Sequence, residues 1–223
     1  MKTISPDCET LTPMASQQWH DAPIVALDLE GSGAQDHEAE AILEIAAVPL
    51  LNGQPHLAHA FTSLINPGRK IPRHPWLSPG LTNDVLVTAP LLEDVESQLA
   101  ELINERWIVG HNVNVDWRLL SRRLPALCPA GLIDTLALAR ALGQPKRSLS
   151  ALVEQLRLTE VIAASAAGSQ PHRALWDTVA VACLLPRLVE RLWPDKPPTL
   201  ETLRLTAGIP LRVEPTEQPG LFG

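Results

Sequence analysis

Cysteine is scarce in this chain: three residues, Cys8, Cys128 and Cys183, odd in number and without metal-ligand spacing. Both a disulfide framework and a zinc site are therefore disfavoured. Long apolar runs are missing as well. The opening stretch "MKTISPDCETLTPMASQQWHDAP" has no block resembling a signal peptide, and no uninterrupted span suits a bilayer, so a cytoplasmic address and no membrane partner are expected. Positive charge is in deficit, and a formal net charge of -7 excludes a protein that coats nucleic acid through a general positive field. A polyanionic substrate would have to be held at a local site, by bound cations or a few basic residues.

The chain does have the means to close a core: 223 residues, 45% apolar and 19% charged, fit one medium globular domain. Residues 1–22 read as an N-terminal extension, 23–194 as the folded domain and 195–223 as a proline-rich tail with little to bury. Strands are predicted over 24–30, 41–51 and 58–67, with a turn at Gly53 and Pro55, and shorter ones over 106–110 and 131–134. Helices are predicted over 91–104, 114–124, 135–142, 148–158 and 172–193, the last kinked or divided at Pro186. Residues 163–171, "AASAAGSQP", read as a loop of small residues. The order is mixed α/β.

Three stretches carry the chemistry. "VALDLEGSG" ends an apolar strand on Asp28 and Glu30, which the pleat points to one face. "GHNVNVD" places His111 and Asn112 at a strand end and Asp116 early in the next helix, and "HRALWD" places His172 at a loop-to-helix junction ahead of Asp177. Four carboxylates and a histidine could thus converge on one cleft. Oxygen ligands without cysteine suit two hard divalent cations, Mg2+ or Mn2+, which turn the repulsion between Asp28 and Glu30 into attraction. Such a pair, ~3.5 to 4 Å apart, activates a water and stabilises the leaving oxygen of a phosphodiester. His172, with an ordinary pKa of ~6.5, is suited to accept the proton of that water.

In this order and separation, "DLE", "GHNVNVD" and "HRALWD" resemble the three motifs of the DEDDh-type 3′–5′ exonucleases, a family that includes the proofreading subunit of bacterial replicative polymerase and RNase T. The resemblance covers roughly residues 24–193 and takes in "INPGRKIP", "LTNDVLVTAP" and "IDTLALAR". It implies an RNase H-like exonuclease fold, a mixed central sheet flanked by helices. It also implies roles: Asp28 bridging both metals, Glu30 and Asp177 on the nucleophile-side metal, Asp116 supporting the other through water, and His172 as general base. Leu29, Gly31, Ser32, His111 and Asn112 then fall where substrate would lie, and a nucleoside 5′-monophosphate is the expected product. Gly31, Ser32 and Gly33 stand where many members have two threonines and a glycine, and Val115 where an aromatic is common.

The implied activity is release of nucleotides from single-stranded DNA ends in replication or repair. The alternatives are RNase T-like trimming of RNA and a silent module that binds a polymerase or clamp. His111 with Asn112 could equally cap the following helix, Asp134 reads as an N-cap, and Glu44 as partner to a basic neighbour. Arg69, Lys70, Arg73, Arg122, Arg123, Lys146 and Arg147 could guide phosphates but default to solvated surface, and six tryptophans could stack bases, with Trp107, Trp117 and Trp176 assigned to packing. The ending "QPGLFG", through Gln218, Leu221 and Phe222, resembles the short peptide by which bacterial replication proteins dock on the sliding clamp; an inert tail is the plain alternative.

Overall fold

The computed structural model describes residues 16–33 and 40–211. The strands are β1 (Ile24–Gly31), β2 (Ile42–Leu51), β3 (Gln54–Pro55), β4 (Phe61–Leu64), β5 (Trp107–Gly110), β6 (Gly131–Asp134) and β7 (Gly208–Ile209). The helices are α1 (Asn83–Leu86), α2 (Glu96–Ile103), α3 (Asn114–Arg123), α4 (Thr135–Ala141), α5 (Leu149–Gln155), α6 (Thr159–Ser165), α7 (Ala174–Leu192) and α8 (Leu200–Ala207). The strands form one mixed sheet in the order β3-β2-β1-β5-β6-β7, with β4 also paired to β2. β1 runs antiparallel to β2 and parallel to β5, and β5 runs parallel to β6.

Strict alternation along the central strands sends side chains to two cores. Ile24, Ala26, Trp107, Val109 and Ile133 pack under α4 to α8, whereas Val25, Leu27, Ile108 and Leu132 pack under α2 and α3. Both faces of the sheet are covered, which is why β1 and β5 read as nearly continuous apolar runs. Gly110 matters at the end of β5. A Cβ there would lie 2.8 Å from Val113 and 3.3 Å from the Leu27 carbonyl, so glycine lets the turn into α3 fold back over this strand end beside β1.

Several elements differ from expectation. The stretch read as strand 58–67 is a 3-10 turn (Leu57–His59) followed by the shorter β4, and α2 is preceded by a 3-10 turn (Glu93–Val95). The front of the predicted loop 163–171 is helical, because alanine favours helix and Ile162 buries α6 against α7. α7 is undivided at Pro186, its flanking residues Leu184, Leu185, Leu188 and Val189 being buried. Burial of that length of helix offsets the proline's cost of about 3 kcal/mol. Residues 200–209, read as tail, form α8 and β7: Leu200, Leu203 and Ala207 are buried at helical spacing, and Thr199 caps the helix by accepting the Thr202 amide at 3.2 Å. Trp19, in the region read as an extension, is buried too. Cys183 is a buried free thiol. Among the described residues no helix is long and apolar enough to cross a membrane.

Candidate active site

The acids meet where β1 runs out of partners on one side. β5 pairs with β1 through Ile24, Val25 and Ala26 only, so the carboxyl-terminal half of β1 is open on that edge. Asp28 and Glu30 share the parity of Ile24 and Ala26, hence the sheet face on which α7 packs. Asp177 lies in the first turn of α7, and one ligand oxygen from each of Asp28, Glu30 and Asp177 lies within 4.8 Å of the others. Asp116, in the first turn of α3, comes round the open edge, where its Oδ1 accepts the Leu29 amide at 3.2 Å. Two of the four carboxylates thus sit at helix N-termini, where the backbone dipole favours negative charge.

Electrostatically the cluster is dominated by negative charge. Burial, then repulsion from Asp116, Asp177, Glu30 and Glu44, holds the Asp28 carboxyl well above its ordinary range. Burial raises Glu30 to about 7, against the hydrogen bond donated by the Ser78 hydroxyl to its Oε2. Asp116 is raised to about 7, again chiefly by burial and against the Leu29 amide. Asp177 reaches about 6, burial outweighing the nearby His172, whose backbone also hydrogen-bonds it. Crowded, desolvated, oxygen-only ligands of this kind fit hard divalent cations, and the acidic cluster of Asp28, Glu30 and Asp177 could bind one.

His172 is exposed just before α7, with φ of 65°, a left-handed conformation uncommon for a residue with a side chain. The next residue holds it there. Arg173 donates from Nε and Nη2 to the two oxygens of Glu44 at 2.7 and 2.8 Å, and the Ala174 amide adds a third bond to Oε2 at 3.2 Å. Glu44 lies directly across from Glu30 in the β1–β2 ladder, so without Arg173 two like charges would face each other. The expectation of a basic partner for Glu44 is met by Arg173, which also lowers the Glu30 pKa by its charge.

Other expected site residues are placed differently from one another. Leu29 contributes its amide to Asp116, and Gly31 lies at a register shift in the ladder. Ser32 is buried, and its hydroxyl accepts the Ala41 amide at 3.0 Å, which secures the chain after β1. Both ring nitrogens of His111 are engaged, Nδ1 with the Thr135 hydroxyl at 2.9 Å and Nε2 with the Arg147 carbonyl at 2.8 Å, while burial lowers its pKa. Asn112 is exposed at φ 66°, with its amide donating to Asp134 at 2.8 Å. Asp134 caps α4 by accepting the Leu136 amide at 2.9 Å, as expected. Gln218, Leu221 and Phe222 lie outside the described residues. Two neighbours of the acids went unnoticed in the sequence: Arg173, although it stands inside "HRALWD", and Ser78, a buried serine in a proline-rich loop that carries no local signal.

The sequence model of a family described as "Exonuclease" matches residues 25–185. A DNA polymerase III subunit epsilon of Aquifex aeolicus is 30% identical over 185 residues, covering 78% of this chain and 83% of that protein. A PolC-type DNA polymerase III of Thermotoga maritima is 34% identical over 179 residues, 77% of this chain but only 12% of that much longer protein. Among solved structures, exonuclease X in complex with 5′ overhanging duplex DNA superposes with a TM-score of 0.57 at 26% identity, covering 81% of this chain and 98% of that one. The mixed sheet flanked by helices is the RNase H-like exonuclease fold of these neighbours.

Proposed function

The chain belongs to the exonuclease family, whose domain occupies residues 25–185, and from that premise we propose that it is a 3′–5′ exonuclease releasing nucleoside 5′-monophosphates from single-stranded DNA ends. The observation that carries this reading is the gathering of Asp28, Glu30 and Asp177 ligand oxygens within 4.8 Å, with Asp116 at the same strand end. The DNA assignment is supported by similarity to polymerase III subunits, including the epsilon subunit of comparable length.

Asp28, Glu30 and Asp177 would hold one divalent cation, with Asp116 supporting a second through water. Mg2+ or Mn2+ there would neutralise the charge of the acids and would supply Lewis acidity toward a phosphodiester and a water. His172, exposed and beside Asp177, takes the proton from that water at an imidazole nitrogen, and Asp177 stabilises the imidazolium that results. Water adds to phosphorus, the bond to the 3′ oxygen of the preceding nucleotide breaks, that oxygen takes a proton from solvent water as the new 3′ hydroxyl, and His172 returns its proton to solvent. Leu29, Gly31 and Ser32, at the end of β1, and Asn112, exposed beside α3, border the space for the terminal nucleotide. His111 acts through Thr135 and the Arg147 carbonyl to hold this strand end in place.

The test is a ladder from 5′-labelled oligonucleotides of both sugars, single-stranded and duplex, with Mg2+, Mn2+ or chelator. Stepwise shortening of single-stranded DNA from its 3′ end, abolished by chelator, is expected. Preferential shortening of RNA would replace this reading with RNA trimming, and no cleavage in any arm would leave a binding module. Association with a polymerase or sliding clamp is a further part of the proposal, supported by the relatives' names and by Gln218, Leu221 and Phe222 in the sequence. Unchanged clamp affinity after deletion of residues 217–223 would remove the clamp.

A further inference from the structure

Beside the acidic cluster stands an aromatic group that the proposed chemistry does not use. Trp76 is 56% exposed, although tryptophan is a residue that folding normally covers. Its ring is stacked on His74, with centroids 4.4 Å apart and planes 6° from parallel, so the indole is braced on one face. Its edge is braced as well: a Cβ on Gly33, whose φ is 61°, would lie 2.5 Å from Trp76 Nε1, so the end of the first motif lies directly against the ring. Two residues further on, Ser78 hydrogen-bonds Glu30. A rigid, exposed aromatic plane is therefore tied at both ends to the metal-ligand strand. The segment carrying it, residues 66–80, has Arg69, Lys70 and Arg73 and no acidic residue, in a chain whose net charge is -7.

We infer that Trp76, backed by His74, is the platform on which the base of the 3′-terminal nucleotide stacks while its phosphate lies at the carboxylates. The inference rests on the exonuclease reading and names how that site grips its substrate. Stacking on an indole is sequence-tolerant because every base offers a π-face, so one platform serves an enzyme that meets each base in turn, and the local basic charge suits the phosphates. A protein partner is the poorer occupant: one braced ring is far below the roughly 800 Å² per side that a stable interface needs.

The test compares the parent, Trp76→Ala and Trp76→Phe on three substrates: single-stranded DNA with an ordinary 3′ nucleotide, the same strand ending in an abasic nucleotide, and bis(p-nitrophenyl) phosphate, which has no base. Trp76→Ala is expected to raise KM for the ordinary strand by about 10- to 100-fold, the range that loss of base–aromatic stacking gives, with kcat little changed. Trp76→Phe should restore most of the affinity, and all three proteins should act alike on the abasic end and the base-free diester. An unchanged KM in Trp76→Ala, or an equal loss on the abasic end, overturns the platform. Fluorescence anisotropy of labelled single-stranded DNA, which needs no cleavage, separates the two readings. If the parent cleaves nothing, the exonuclease reading fails, and the platform stands or falls on whether Trp76→Ala weakens binding to ordinary but not abasic ends.

Discussion

Removing the Glu44 carboxylate should both loosen the fold and slow the reaction. Glu44 is buried at 5% exposure and accepts three hydrogen bonds, two from Arg173 and one from the fully buried Ala174 amide. Truncating one partner of a buried ion pair costs about 3–5 kcal/mol, because the other charge is left uncompensated. Here the Arg173 side chain keeps 25% exposure and regains some water, and one source of repulsion on Asp28, Glu30 and Asp177 disappears. Both corrections lower the cost, to about 2–3 kcal/mol for Glu44→Ala. For a chain of this size that is a fall in Tm of about 5–10 °C. Glu44→Gln keeps an acceptor and loses the charge, and should cost about 1–2 kcal/mol. Since Glu44 fixes Arg173, the residue after His172, kcat should fall about 10- to 100-fold in Glu44→Ala, as loss of orientation at a reacting group does. Thermal unfolding followed by circular dichroism, with nucleotide release on single-stranded DNA, measures both. If Glu44→Ala unfolds within 1 °C of the parent and hydrolyses at its rate, the argument that this pair holds the base is wrong.

Other consequences follow from the same geometry. Asp28→Asn should abolish nucleotide release yet be at least as stable as the parent in chelator, since a desolvated like charge is removed; Mn2+ should raise the Tm of the parent and not of the variant. In chelator, stability should fall as pH rises. Glu30 and Asp116 at about 7 and Asp177 at about 6 lie above their unfolded values, so the folded state holds extra protons; the stability they contribute is complete below about pH 4 and lost through pH 6 to 7. Urea midpoints at pH 4.5 and 7.5, with and without Mg2+, test this, and a midpoint that rises with pH in chelator would contradict the raised carboxylates. His172→Ala should lower kcat by about 10²- to 10⁴-fold while leaving the Mn2+-induced shift in Tm intact.

The motifs themselves were readable because each depends on local rules. Alternation along "IVALDLE" put Asp28 and Glu30 on one face, and the apolar runs and helical spacings placed β1, β5, α3, α4 and most of α7 within a few residues. Asp134 as a cap follows from the same short-range chemistry. Helix α8 was also within reach, since Leu200, Leu203 and Ala207 recur at helical spacing, but the surrounding prolines outweighed that signal. The alanines of α6 were read as loop for a similar reason.

What residue types and spacing determined was which side chains carry charge toward the ends of which elements. Only the tertiary structure decided where those ends lie relative to one another. β5 stops pairing with β1 at Ala26, leaving an open edge for Asp116, and packing of α7 on β1 and β2 brings Asp177 to Glu30 and Arg173 to Glu44 across 129 residues of chain. Ser78 and Trp76 come to the same strand end through a loop whose path no periodicity encodes. Local sequence sets the faces of strands and helices, because those repeat every two or 3.6 residues. Burial of both faces of one sheet then selects the single arrangement in which distant polar groups share a cleft.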